Sequence, residues 1–248
     1  MFEKVIEFSA NEDYINLKED HPIPIKLNIP EWYKKLQHNQ HNQTIKGCMP
    51  FLDTLTSGYL LKMPQDFSII HNVDNKETGE KDSFFQFGLK NWGPLLAYKN
   101  INLNTFADLH KTYQLEGSSY IEKNKNLNFY KILNPWKIKT PKGYSCLFVP
   151  PLNNTDDRFS IIPGIVDTDT FPNEVNFPIV INGDKYPVLD SIIKKGTPYV
   201  QIIPFKRDNW KMVIKPRVEK ESLNSRLFYN LRILNIYKDR YWKKKIWK

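Results

Sequence analysis

Aromatic residues alternate with lysines over residues 237–248, YKDRYWKKKIWK. An ammonium group attracts phosphate whatever the base sequence, and an indole or phenol ring stacks on a base or fills a protein interface. Lys243, Lys244, Lys245, Trp242 and Trp247 would carry such a contact. Two blander placements stay open: a docked helix with a solvated basic end, and a tail that reaches a neighbouring subunit.

Other side chains capable of chemistry are sparse. The five histidines, His21, His38, His41, His71 and His110, form no His-x-Asp or His-x-Glu pair, which argues against the facial triad of an iron oxygenase and the histidine cluster of a metal cupin. His38 and His41 would share a helix face as metal ligands only if the polar HNQHNQ run were helical. Asparagine disfavours that, and no third ligand is in view, so no metal site is expected. Cys48 and Cys146 are far apart and lack metal-type neighbours, so two reduced thiols, buried or half-buried, are expected. No nucleophile elbow, glycine-rich phosphate loop or internal repeat is present. Asp53, alone among apolar residues, either caps a turn or faces a site.

These residues need elements to position them. The chain has 248 residues, 40% hydrophobic and 14% aromatic, a globular composition for one extended domain or two small ones. No apolar run approaches the ~20 residues of a membrane span, and the first residues carry acids where a signal peptide is basic, so a cytoplasmic protein with no membrane partner is expected. The abundance of Lys, Asn and Ile, with little Gly and Ala, is what AT-rich genomes produce; it fits a phage-encoded protein acting in its host's cytoplasm. Charge is uneven. From Lys206 onward 14 Lys/Arg face 4 Asp/Glu, a net +10, while the remainder holds 22 against 23, a net −1.

The pattern predicts a proline-rich extended N-terminal arm over 1–43, with a helical turn at 31–36 after Pro30. A β-rich domain follows over 44–215, with strands at 59–63, 67–73, 83–89, 128–133, 144–149, 159–162, 175–181 and 199–205. An irregular insertion near 90–130 interrupts it, with a helical patch at 105–113 introduced by Asn104. Leu223, Leu227, Leu231 and Leu234 recur at helical spacing and predict a basic helical tail over 216–248. Short strands with Gly, Pro and Asn-Gly punctuation read as an all-β sandwich or barrel.

Within this β-rich part, GIVDTDTF at 164–171, followed by Glu174 and strand-forming residues up to Asn182, resembles the third motif of deoxyuridine triphosphatases (dUTPases) and the related dCTP deaminases. KGTPYVQIIP at 195–204 is similar to their fourth motif, and PKGY at 141–144 to the turn before their second. The resemblance spans roughly the last third of the body. It implies a mainly β, dUTPase-like β-clip or jelly-roll-like sandwich, to which the leucine spacing of the tail adds a C-terminal helix, and a homo-oligomer, by analogy a trimer. It further implies that Asp167 holds and activates a water that attacks the α-phosphorus beside Mg²⁺, that Phe171 packs under the deoxyribose, and that Gln201 lies near the phosphates.

The departures bear on catalysis. Where the family presents an arginine and a serine to the phosphates, the chain reads Pro150-Pro151-Leu152-Asn153. Asn153, and Arg158 beyond it, are the polar groups left to replace them. The glycine-rich closing arm is replaced by a basic segment, and the deaminases' glutamate and arginine pattern is missing. Two expectations follow: a phage-type accessory or binding protein on a dUTPase-like β fold, without cofactor and not an enzyme, or a divergent deoxynucleoside triphosphate hydrolase using Asp167 with Mg²⁺ as cofactor.

Overall fold

The computed structural model describes residues 4–73, 84–88, 107–127, 129–153, 156–216 and 235–248, with 84–88 as backbone alone. Among the described residues there are fourteen strands and only five α-helices of five or six residues, so the protein is mainly β. It divides into two compact units, residues 1–23 with 60–206 and residues 24–59 with 207–248.

The strands are β1 (Glu7–Ser9), β2 (Ile23–Pro24), β3 (Tyr59–Lys62), β4 (Phe67–Asn72), β5 (Phe84–Gly88), β6 (Ala107–His110) and β7 (Phe129–Ile132), then β8 (Lys137–Lys139), β9 (Tyr144–Val149), β10 (Phe159–Ile161), β11 (Gly164–Val166), β12 (Phe177–Ile181), β13 (Val188–Ile193) and β14 (Pro198–Lys206). They form four sheets, ordered β1-β8, β10-β12-β7-β6, β11-β9-β14-β3-β2 and β13-β4-β5. β12 (FPIVI) is apolar along its length, and Phe177, Ile179, Val180 and Ile181 are all buried, as in a strand covered on both faces. Phe67, Ile69, Phe148, Phe177, Ile179 and Ile202 belong to one core cluster in the first unit. The Phe148 ring lies tilted against Phe177, ring centroids 5.5 Å apart, and Phe177 meets Tyr199 edge-on at 5.7 Å.

Two glycine turns set the frame. Gly143, at φ 85°, enters β9, and Gly196, at φ 83°, enters β14, in a region that L side chains rarely adopt. β9 then lies between β11 and β14, with Val166 opposite Cys146 and Gln201 opposite Val149.

The helical patch expected at 105–113 is corrected. Residues 107–110 are strand β6, paired antiparallel with β7, and a 3-10 turn follows at Thr112–Leu115. Lys131 and Asp108 sit opposite each other and form an ion pair of 3.0 Å, so a partner distant in sequence overrides the local helical spacing. The proposed cap Asn104 lies outside the described residues.

In the second unit, helices α2 (Glu31–Lys35) and α3 (Met49–Thr54) come from the first of its two segments; α2 starts after Pro30 as expected. Helix α1 (Glu12–Asn16), in the first unit, is capped by Asn11, whose side chain accepts from the Tyr14 amide, and α4 (Ser119–Lys123) precedes β7. Residues 207–216 have no regular structure and every one of them is exposed. A single helix to the C-terminus is also corrected. The described tail has one short helix, α5 (Ile236–Arg240), entered through Asn235 in the left-handed region (φ 65°) and left at Tyr241. Leu223, Leu227, Leu231 and Leu234 lie outside the described residues.

Among the described residues no helix is long and apolar enough to cross a membrane.

Candidate functional site

Asp167 follows β11 and stands level with Ser145 on β9. The Ser145 hydroxyl donates to its Oδ1 at 2.6 Å. The amides of Thr170 and Phe171 donate to the Asp167 carbonyl at 3.0 and 2.9 Å, a tight turn that brings Phe171, 39% exposed, back beside the aspartate. Asp169 Oδ2 accepts from the Gly143 amide at 2.8 Å, and the Thr140 and Thr168 hydroxyls share a buried hydrogen bond of 2.7 Å. Both aspartates and Thr168 therefore fasten the 167–171 turn to the 140–145 turn. Thr168 also donates to Cys146 Sγ at 3.4 Å; burial pushes that thiol up to about 11.

The other predicted nucleotide contacts lie at the opposite end of β9. Gln201 is fully buried, and its Oε1 accepts from the Leu152 amide at 2.9 Å, holding the turn that follows β9. Asn153 occupies that turn with φ 59°. Four residue steps of strand separate Ser145 from Val149, ~13 Å at the usual rise. Within one chain, then, Asp167 and Phe171 form one group and Gln201 and Asn153 another.

Arg158 is already engaged. Its Nε and Nη2 donate to the two oxygens of Asp156 at 2.9 and 2.7 Å, and Nη1 donates to Ser191 Oγ at 2.6 Å and to the Ile192 carbonyl. The hydrogen bonds from Arg158 hold the Asp156 carboxyl below its ordinary range. A small cleft of about 170 Å³ lies there, lined by Pro150, Pro151, Asp156, Asp157 and Lys123 among others. Two carboxylates beside one lysine do not suit a triphosphate.

The second unit offers a different surface. Asp53, on α3, accepts from the Trp242 indole N–H at 3.1 and 3.2 Å and pairs with Lys245. Tyr59 donates to the Lys248 carbonyl at 3.1 Å and meets the Trp247 ring edge-on, with centroids 6.0 Å apart. The aspartate left open between turn cap and site is thus the tether of the tail. Of the predicted partner contacts, Trp242 and Lys245 are tied to Asp53 and Trp247 is half-buried, while Lys243 and Lys244 are exposed.

Wholly within this unit lies a cleft of about 810 Å³. Lys34, Lys35, Lys46, Lys238, Tyr33 and Trp242 line it, and among the described residues no carboxylate does. Lys34 bonds Glu31, and Lys46 donates to the Lys34 carbonyl at 2.7 Å, while Lys35 and Lys238 are exposed. Of these, only Trp242 stands among the contacts expected from the sequence. The signal was available, because Trp32-Tyr33-Lys34-Lys35 sets two rings beside two lysines, as Tyr241-Trp242-Lys243-Lys244 does in the tail. His38 also lines the cleft; its Nδ1 accepts from the Thr44 amide at 3.0 Å. Among the described residues no group of three His, Cys, Asp or Glu side chains could hold a metal ion.

No protein-family model matches this chain, and no curated protein matches it either.

Proposed function

We propose that this chain is a phage-type accessory binding protein on a dUTPase-like β fold, that its partner is nucleic acid taken up by the second unit, and that no chemistry occurs at Asp167. The observation that carries this reading is the segregation of charge. The second unit holds 17 Lys/Arg against 6 Asp/Glu, a net +11, and the first holds 19 against 21. A basic surface concentrated in one unit is the electrostatic footprint of a phosphate-backbone contact.

In the first unit, the polar groups implied by the resemblance are occupied in holding turns together. Ser145 and Asp167, Gly143 and Asp169, and Leu152 and Gln201 are paired, and Arg158 is forked onto Asp156. Self-association fits the exposed stretch at 207–216, where Trp210 is 91%, Met212 84% and Ile214 86% exposed. A trimer is the form that the dUTPase resemblance favours.

The test is fluorescence anisotropy of labelled oligonucleotides with the full chain over a salt series. Affinity should fall linearly in a log–log plot as salt rises. Absence of binding at low salt overturns the reading. The hydrolase reading is favoured by one observation, the exposed Asp167 carboxylate with Phe171 folded back beside it. Pyrophosphate release from deoxynucleoside triphosphates with Mg²⁺, lost in Asp167→Ala, would establish it in place of the binding role.

A further inference from the structure

The lysine-lined cleft of the second unit has the size of a ligand site, and its composition narrows the ligand. We infer that it seats a segment of single-stranded nucleic acid, with phosphates on Lys35, Lys46 and Lys238 and an unstacked base against Trp242 and the apolar floor of Met49 and Leu52. This deepens the nucleic-acid reading and rests on it.

Among the described residues the lining holds four lysines and no carboxylate, which leaves an anion as the matching charge. Lys35 and Lys238 are exposed and form no ion pair among the described residues, and they come from the two separate chain segments of the unit. Trp242 is fixed in place by its N–H on Asp53, a preorganised ring that costs little to order on binding. Leu36, Met49 and Leu52 add apolar surface. In a duplex the base faces are buried in the stack, so rings and aliphatic side chains inside a cleft serve it poorly. In a single strand those faces are available, and stacking on them is tolerant of sequence.

The experiment compares the wild-type chain with Lys35→Glu/Lys238→Glu and with Lys243→Glu/Lys244→Glu, all exposed positions, after circular dichroism has confirmed that each is folded. Binding of a labelled dT12 strand, of its duplex and of dTTP as competitor is measured by anisotropy across salt. The expected result is a preference for the strand and a loss of at least tenfold in the first variant, with the log–log salt slope shallower by about 1.4, two contacts at ~0.7 each. The second variant should lose less than threefold. A strand carrying 5-iododeoxyuridine should photocrosslink to Trp242, read by mass spectrometry of the tryptic peptides.

Strand binding that survives in the first variant and collapses in the second overturns the cleft assignment and leaves the nucleic-acid reading standing. Preference for duplex, or displacement of the strand by equimolar dTTP, overturns the single-strand assignment alone. No binding of either oligonucleotide by the wild type overturns both.

Discussion

Arg158 shows how a residue's type and its use diverge. The loop after β9 lacks the arginine that dUTPases present there, and Arg158, the next arginine along the sequence, closes a fork on Asp156 and reaches Ser191 and the Ile192 carbonyl. Arg158→Ala should therefore act on stability, costing about 1–3 kcal/mol by stranding a partly buried carboxylate, as read by urea unfolding at pH 7. The sign of the pH effect follows from Asp156, whose folded carboxyl is held below its unfolded value. Its contribution is complete above the unfolded carboxylate range and is lost as pH falls through the folded value, so the gap between wild type and variant should close in acid. The cysteines differ from the expectation of two buried or half-buried thiols: Cys146 is buried, but Cys48 is exposed, and both are free. Titration with a thiol reagent should count one group per native chain and two in denaturant.

At the level of elements, strands bracketed by local punctuation were legible. β9 lies between Gly143 and Pro150 and β14 follows Gly196, and each forms close to where glycine, proline and β-branched residues place it. β13 was not legible. Its residues alternate only weakly in burial, Val188 is exposed and Asp190 sits mid-strand, and its partner is β4, more than a hundred residues earlier. β6 failed for the same reason in reverse, since helical spacing was present locally and the deciding contact with β7 was not. The 143 turn is a clean test of what punctuation contributes. A Cβ at Gly143 meets nothing within 4 Å, so the cost of Gly143→Ala is conformational alone, about 1–2 kcal/mol for a left-handed residue. A drop in urea midpoint without loss of secondary structure would match; an unchanged midpoint would not.

For the whole molecule, the division into two units was the least legible feature. One unit is assembled from residues 24–59 and 207–248, and nothing in either segment announces the other. The charge of the tail was visible, while its companion lysines at 34, 35 and 46 were hidden by separation in sequence. Asp53 joins the two segments, holding Trp242 and Lys245 together. Asp53→Ala should release the last residues, shifting tryptophan emission to the red and raising the rate of tryptic cleavage after Lys243, Lys244 and Lys245 by severalfold. Unchanged cleavage kinetics would show that the tail is held by other contacts, such as the Tyr59–Trp247 pair.

Cys48 lies between Gly47 and Met49, both of which line the basic cleft, and its sulfhydryl is open to solvent while the protein's other one is enclosed. Nature has thereby left a handle at the rim. A solvatochromic dye attached there, with no engineered cysteine and none removed, would report directly whether anything enters the cleft, in real time and without a label on the ligand.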